Sequence, residues 1–193
     1  MAVIVVSGQA KDVGKTTLIC NILRRFAQFK WAAVKISSHL HSPANTKRLA
    51  SGSGWNIFEE VSANNDSDTG RFLQAGSLIS ILVSTEAQAL AEACSWLLPH
   101  VRKLENAIIE SSTGARLLDP DLSLLIVDPG RLEFKASARE QLPRIDALIV
   151  REGSGKKLKR STGLLAGIPA FQSNLSSLDP GVARLVENVL KRS

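Results

Sequence analysis

Two hydrophobic patterns alternate along the chain. Residues 2–7 read AVIVVS, a continuous apolar and β-branched run that is typical of a strand buried on both faces. Residues 15–29 instead repeat apolar side chains at helical spacing, which predicts an amphipathic helix. The same two patterns recur downstream and predict strands at 31–36, 78–83, 106–110, 122–127, 146–150 and 168–171, and helices at 68–75, 85–98, 137–141 and 180–191. Strands that alternate with helices predict an α/β fold, a mostly parallel sheet with helices on both faces.

Residues that typically start or end helices predict the boundaries of two of these helices. Thr85 is expected to cap the helix over 85–98, and Pro99 is expected to end it. Asp179 followed by Pro180 is a favourable start for the last helix, because proline is tolerated at the first helical position.

Residues 37–67 interrupt the alternation. They are rich in Ser, Asn, Gly and His and show little periodicity, except around 56–61. A loop of this length inside a compact domain is usually functional or mobile. With 193 residues and no internal repeat, the chain is expected to form a single domain over 1–193 that carries this long polar, mobile segment.

Composition narrows the class of protein. Hydrophobic residues make up 44% and charged residues 22%, an ordinary balance for a globular protein. No apolar run approaches the roughly 18 residues of a membrane span, and no basic segment precedes the first apolar stretch, so we expect a cytoplasmic protein without a membrane partner. Cys20 and Cys94 are too few for a disulfide framework or a zinc site and are expected to be buried, reduced thiols.

Net charge is +6, and its densest run is Lys156–Arg160. A basic surface can attract nucleic acid, anionic lipid or phosphorylated ligands. The run is more typical of a solvated loop, and no aromatic residues are interleaved with it as in single-strand-binding proteins. Nucleic acid is therefore not a favoured partner.

The segment after the first strand has the chemistry of a phosphate-binding loop. It reads GQAKDVGKTT and leads into the first helix, whose unpaired amides and positive dipole end attract an anion. Lys15 supplies a positive charge for the outer phosphates, the Thr16 hydroxyl is placed to bind Mg²⁺, and Thr17 is placed to contact an inner phosphate. The loop therefore predicts binding of ATP or GTP with Mg²⁺ through Gly8, Lys11, Asp12, Val13, Gly14, Lys15, Thr16 and Thr17.

The loop is one residue longer than the strict G-x-x-x-x-G-K-[ST] motif, because five residues separate Gly8 from Gly14. This longer form resembles the loops of dethiobiotin synthetases and cobyrinic acid amidase relatives, in the P-loop class that also holds the MinD-type ATPases. MinD-type loops carry a further lysine five residues before the loop lysine. Ala10 occupies that place here, and Lys11 follows it.

Chemically useful side chains also follow other predicted strands, where ligands bind in folds of this kind. Lys35 closes the strand over 31–36, and Glu110 closes the strand over 106–110, so both are candidate catalytic residues together with Lys15. A carboxylate at the position of Glu110 is suited to coordinate Mg²⁺ through water. Asp128 precedes Pro-Gly and is more typical of a turn.

His39 and His41 follow the second predicted strand. Two histidines without a third ligand at diagnostic spacing are weak evidence for a metal site. Solvent exposure and contact with a substrate or a phosphate are the alternatives that the sequence leaves open.

The order of these features resembles the molybdopterin-guanine dinucleotide biosynthesis adaptor protein B family. In that family the P-loop is followed by a strand that ends in Ile-Lys-His, by Lys-Asp-Ser-x-Arg-x-x-x-Ala-Gly-Ala, and later by a strand that ends in Glu-Gly. This chain has Lys35 with histidines nearby, keeps Asp68, Arg71 and Ala-Gly in register over 68–76, and has Glu110. The match covers about residues 1–112. The chain departs from the family pattern at three positions, which carry Ile36, Ser67 and Ser111 in place of His, Lys and Gly.

This resemblance implies a P-loop NTPase fold in which Thr16, Asp68 and Glu110 gather around Mg²⁺ and Arg71 faces the bound molecule. The part of the chain beyond residue 112 looks more like dethiobiotin synthetase relatives, in which residues after the last strands hold the base. That resemblance implies Arg151, Ser173 and Asn174 as base-binding residues. No Asn-Lys-x-Asp guanine signature is present, so the choice between ATP and GTP stays open.

Three functions are compatible with the sequence. One is an enzyme, a Mg²⁺-dependent NTPase or a kinase-like synthetase that activates a small acid. Another is a nucleotide-gated adaptor that binds a cofactor-biosynthesis enzyme and hydrolyses slowly, as the family resemblance implies. The third and least favoured is a nucleic-acid-associated ATPase that uses Lys156–Arg160. Proteins of this class often dimerise, so a homodimer is also considered.

Overall fold

A computed structural model describes residues 1–40, 43–111, 113, 115–131, 133–153, 165 and 167–192. The strands are β1 Ala2–Gly8, β2 Trp31–Ser37, β3 Thr46–Gly52, β4 Trp55–Glu60, β5 Ile79–Thr85, β6 Asn106–Glu110, β7 Leu122–Val127, β8 Ala147–Arg151 and β9 Ala170–Ser173. The α-helices are α1 Lys15–Arg25, α2 Asp68–Gln74, α3 Leu90–Val101, α4 Ala115–Leu118, α5 Ala136–Gln141 and α6 Pro180–Leu190. Short 3₁₀ turns cover Ala87–Ala89 and Leu142–Arg144.

Within the described residues, nine strands form one sheet in the order β3-β4-β5-β2-β6-β1-β7-β8-β9. The pairs from β5 to β9 are parallel, whereas β3 and β4 are antiparallel additions at one edge. β1 lies at the centre, between β6 and β7. This confirms the predicted single-domain, mostly parallel α/β fold, and it brings the carboxyl ends of β1, β2 and β6 to neighbouring positions on one edge.

Alternate residues of β1 face opposite sides of the sheet, so the strand is buried on both faces. Ile4 and Val6 pack in the cluster that also holds apolar side chains of α1, α2 and α6. Val3 and Val5 pack on the other side, with α3. The prediction of helices on both faces is therefore confirmed.

Residues 37–67 differ from the predicted loop, because β3 and β4 form an antiparallel hairpin within them. β4 buries Trp55, Ile57 and Phe58 against the sheet. β3 is an edge strand with mostly polar, exposed side chains, so it lacks the apolar pattern by which strands are recognised. Ser53 and Gly54 connect the two strands, and Gly54 has a positive φ of 78°, which glycine adopts readily.

The predicted helix over 85–98 is also corrected. Thr85 is the last residue of β5, and its hydroxyl donates to the Glu86 carbonyl rather than capping a helix. α3 begins at Leu90 and continues through Pro99 to Val101. Proline removes one hydrogen bond in the last turn, and the helix continues because Val101 is fully buried beyond it. In the described part of the chain, no helix combines the length and the apolar character that crossing a membrane requires.

Candidate nucleotide site

The phosphate loop connects β1 to α1 and has the backbone that its glycines permit. Gly14 immediately precedes α1 at φ 102°, and Asp12 lies at φ 59°. A methyl group at Gly14 would overlap Leu175 Cδ1, so the position is restricted by both backbone angle and space. The amides of the first turn of α1 are thereby left at the carboxyl edge of the sheet, where an anion can bind.

Gln9 anchors this loop, a role that the sequence does not reveal. Its side chain is buried, accepts a hydrogen bond from Asp128 N at 2.8 Å, and donates to the carbonyls of Arg131 and Glu133 at 3.1 and 3.2 Å. Its own amide donates to the Ile126 carbonyl at 2.9 Å. These partners lie more than a hundred residues away, so no local pattern predicts them.

Lys15 points inward, as a phosphate-binding lysine must. Its side chain is only 13% exposed, and its Nζ lies 3.8 Å from Glu110 Oε1. Burial lowers the pKa of Lys15, and the positive charges of Lys135 and Lys35 act in the same direction, whereas Glu110 opposes the shift. An anion placed beside Lys15 would relieve this cost of a buried charge.

Thr16, Asp68 and Glu110 come together, as the family resemblance implies. Thr16 Oγ1 donates to Glu110 Oε2 at 2.8 Å. Burial would raise the pKa of Asp68, but its hydrogen bonds and ion pair with Lys35, with help from Thr16 and Arg71, lower it overall. The Asp68 carboxylate is therefore suited to be ionised at neutral pH.

Lys35 joins the two acids. Its Nζ forms an ion pair with Asp68 Oδ2 and lies 4.0 Å from Glu110 Oε1. Arg71 Nη1 approaches the other oxygen of Asp68, at 3.7 Å. The ends of β2 and β6 and the start of α2 thus supply a connected cluster of charges beside the phosphate loop.

A cavity of about 350 Å³ lies over this cluster. Four cationic and three acidic side chains line it, so it offers charge for polyphosphate together with oxygen ligands for a cation. Its lining consists of Lys11, Asp12, Gly14, Lys15, Thr16, Thr17, Lys35, Asp68, Arg71 and Glu110. Gly8 and Val13 support the loop on the side facing the core, since Gly8 ends β1 and Val13 is fully buried.

The oxygen atoms of Thr16, Asp68 and Glu110 are suited to Mg²⁺ that is bound together with a nucleotide, and less suited to a metal ion that only protein side chains coordinate. Magnesium in nucleotide sites is bound by one or two carboxylates, often with a hydroxyl of the phosphate loop, and phosphates and water complete its shell. Among the described residues, no group of three or more His, Cys, Asp and Glu side chains is placed to hold a metal ion. Thr16, Asp68 and Glu110 match the magnesium pattern.

The residues implied as base ligands lie elsewhere. Arg151 Nη1 lies 3.8 Å from Asp128 Oδ2, and Ser173 Oγ accepts from Leu175 N at 3.1 Å. The exposed Asn174 accepts from Ser176 N at 2.9 Å. The loop after β9 nevertheless touches the phosphate loop through Leu175. The role of Arg151, Ser173 and Asn174 in holding a base stays a prediction.

The other candidates of the sequence have simpler outcomes. Asp128 forms a turn, since its Oδ1 accepts from Gly130 N at 2.9 Å. His39 is exposed near the end of β2. Cys20 and Cys94 are buried free thiols, as predicted. His41 and Lys156–Arg160 lie outside the described residues.

Comparison with known proteins extends this description at the level of the fold. No protein-family model matches the chain, and no curated protein matches it. The structure of LpxK from Aquifex aeolicus, determined in complex with ATP, matches with a TM-score of 0.55 and 16% identity. That match covers 89% of this chain and 53% of LpxK, so this chain spans about half the length of that protein.

Two further structures match over most of their length. HypB from Helicobacter pylori, in complex with nickel, has a TM-score of 0.52 and 15% identity, over 98% of this chain and 85% of HypB. A MobB homologue from Bacillus stearothermophilus has a TM-score of 0.48 and 16% identity, over the whole of both chains. At these identities, similarity above a TM-score of 0.5 is evidence for the fold alone. Together with the loop between β1 and α1, it confirms that the chain has the P-loop NTPase fold.

Proposed function

We propose that this protein binds ATP or GTP with Mg²⁺ and hydrolyses it slowly, as a nucleotide-gated adaptor in cofactor biosynthesis of the molybdopterin-guanine dinucleotide type. The observation that carries the proposal is the single cavity that brings together the phosphate loop, Lys35, Asp68, Arg71 and Glu110. The order of those residues along the chain supports the adaptor type, since the sequence resemblance rests on them. A cytoplasmic cofactor-biosynthesis enzyme is the proposed partner, and a second copy of the chain is another.

Five charged side chains of the cavity and the Thr16 hydroxyl have a defined task in this proposal. The α1 amides and Lys15 hold the outer phosphates, while Glu110 accepts a hydrogen bond from the Thr16 hydroxyl and so leaves the lone pairs of the hydroxyl oxygen available to the ligand. Thr16, Asp68 and Glu110 would hold Mg²⁺, which neutralises developing charge on the phosphate oxygens. Lys35 and Arg71 supply further positive charge for the terminal phosphate when they separate from Asp68.

The gating part of the proposal rests on the segment 61–67. This segment joins the hairpin to α2, and α2 begins with Asp68. A triphosphate that draws Lys35 and Arg71 away from Asp68 would change what holds the start of α2, so the segment is placed to respond to the terminal phosphate. A partner that recognises the ordered segment would then bind the triphosphate state.

Isothermal calorimetry tests the site. Lys15→Ala is expected to weaken triphosphate binding by roughly 100-fold or more, since loss of one partner of a buried charge pair costs about 2–5 kcal/mol. Lys30→Ala is the matched control, because Lys30 precedes β2, its side chain is 64% exposed, and it forms a surface ion pair with Glu105. Unchanged affinity of Lys15→Ala for ATP and GTP would refute the proposed site.

Limited proteolysis tests the gating. A protease that cuts before aspartate has an accessible target at the exposed Asp66. A nonhydrolysable triphosphate with Mg²⁺ is expected to slow this cleavage more than the diphosphate does. Identical cleavage with both nucleotides would contradict a switch that senses the terminal phosphate.

A second cavity favours phosphoryl transfer as the alternative function. It has a volume of about 660 Å³ and shares Lys11, Lys35, Asp68 and Arg71 with the first cavity. A small acid bound there would lie beside the terminal phosphate. Its carboxylate oxygen would form the new bond to phosphorus while the bond to the departing diphosphate breaks.

Measuring diphosphate release with a panel of small carboxylic acids distinguishes these functions. Stimulation of 10-fold or more by one acid, on the order of 1.4 kcal/mol of barrier, would favour the synthetase. A slow rate that no acid changes, but that a partner enzyme alters, would favour the adaptor.

A further inference from the structure

Glu60 is a buried carboxylate to which the function above gives no role. It ends β4 and is only 5% exposed. It accepts three hydrogen bonds from the segment before α2 and from the first turn of that helix: from Ser67 Oγ at 2.8 Å, from Thr69 Oγ1 at 3.0 Å and from Ser62 N at 3.3 Å. A polar group is costly to bury without hydrogen-bond partners, and these donors offset that cost.

The bond to Ser67 reaches the first turn of α2. Ser67 is the N-cap of this helix, and its hydroxyl accepts from Gly70 N at 2.9 Å while donating to Glu60. Asn64 reinforces the same turn, since its Oδ1 accepts from Asp66 N and Ser67 N at 2.9 and 3.2 Å. The end of β4 and the start of α2 are thereby joined through side chains.

Asp68 lies between the two hydroxyl residues that Glu60 holds. Ser67 and Thr69 direct their hydroxyls to Glu60, whereas the Asp68 carboxylate contacts Lys35 on the cavity side. Arg71 follows one helical turn later and also lines the cavity. Any shift of the Ser67–Thr69 backbone therefore moves Asp68 relative to Thr16 and Glu110.

We propose that Glu60 is a positioning residue of the nucleotide site: it fixes the start of α2 through Ser67 and Thr69 and so sets where Asp68 meets the metal. This inference rests on the proposed binding of a magnesium–nucleotide complex. It makes the β3–β4 hairpin a part of the site, although no residue of β4 lines either cavity of that site.

The test is a magnesium titration of triphosphate binding, followed by calorimetry, on Glu60→Ala and Glu60→Gln. Glu60→Ala is expected to raise the Mg²⁺ concentration for half-maximal binding by roughly 10-fold, because Asp68 is displaced from Thr16 and Glu110. Glu60→Gln keeps one side-chain acceptor and is expected to raise the Mg²⁺ concentration for half-maximal binding by a smaller factor. Glu59→Ala is the matched control, since Glu59 is the preceding residue of β4 and is partly exposed.

A double-mutant cycle with Asp68→Asn separates positioning from general stability. In the Asp68→Asn background, Glu60→Ala is expected to cause no further change in the Mg²⁺ dependence. A lowered melting temperature with an unchanged Mg²⁺ dependence, or additive effects in the cycle, would overturn the proposal. Absence of any magnesium-dependent triphosphate binding in the unmodified chain would instead refute the proposed function itself.

Discussion

Gly14 is held by two constraints at once, the backbone angle of 102° and the Leu175 side chain that fills the space beside its Cα. Leu175 itself has a φ of 62°, and its carbonyl accepts from Asn21 Nδ2 at 3.0 Å. The loop after β9 is thus fixed on the start of α1. A residue far along the chain thereby helps to keep the phosphate loop in its binding conformation.

Comparing Gly14→Ala with Gly76→Ala separates these constraints. Gly76 also has a positive φ, 107°, but nothing lies within 4 Å of an added Cβ. Gly76→Ala is therefore expected to cost only the backbone strain, about 1–3 kcal/mol. Overlap with Leu175 should add about 1–3 kcal/mol for Gly14→Ala, and triphosphate affinity should fall in that variant alone. Equal losses in urea unfolding would show that the Leu175 contact does not restrict the loop.

Residues of the site differ in how far the sequence reveals them. Lys15 and Thr16 follow from a motif, and Glu110 follows from its place after a strand, because parallel strands end at one edge of the sheet. Asp68 and Arg71 depend on resemblance, since α2 comes to the site only through the tertiary fold. Gln9 and Leu175 are not revealed by the sequence, because their partners are distant in the chain and are brought near by the sheet. Glu60 is not revealed for another reason: its partners lie within nine residues, but the polar segment that holds them has no regular pattern.

At the scale of elements, α3 shows how packing decides a helix that local rules would end. Its apolar side lies in the cluster on one face of the sheet, with Ala93, Cys94 and Leu97 almost fully buried. That burial outweighs Pro99, which local chemistry predicts as the end. The hairpin escapes prediction for a related reason: an edge strand such as β3 is defined by its hydrogen bonds to β4, and its side chains need no apolar pattern.

Burial of α3 also predicts a dependence of stability on alkaline pH. Burial raises the pKa of the Cys94 thiol from 9.0 to about 11. Between these values the unfolded chain loses the proton that the folded chain keeps, so the free energy of unfolding should fall as pH rises, by at most about 2.7 kcal/mol. Urea unfolding should show this fall in the unmodified chain and a smaller fall in Cys94→Ala. Equal slopes in the two proteins would contradict the assignment to Cys94.

At the scale of the molecule, Gln9 ties the two halves of the sheet at the site. β6, β2 and β5 lie on one side of β1, and β7, β8 and β9 lie on the other. Gln9 directly follows β1, and its side chain forms hydrogen bonds with the backbone of the segment after β7. The phosphate loop is therefore held from the side opposite to Lys35 and Glu110.

Gln9→Leu should reveal this tie. It removes the hydrogen-bond partner of the Asp128 amide and of two carbonyls, and each lost hydrogen bond costs about 0.5–1.5 kcal/mol. We expect a lower melting temperature and weaker triphosphate binding, measured by thermal unfolding and calorimetry. Gln88→Leu provides the control, because Gln88 is exposed in the turn before α3. If both variants melt alike, the bonds of Gln9 contribute little.

The ion pair of Lys35 with Asp68 has a consequence for how a divalent cation would bind to the protein. An ammonium group already balances the carboxylate, so the protein needs no ligand to compensate the acid at this position. A divalent cation that binds as proposed must therefore compete with that lysine for the same oxygen. Occupancy of the nucleotide site should then depend on the concentration of free cation as well as on that of triphosphate. A chelator should therefore release the bound cation without unfolding the protein.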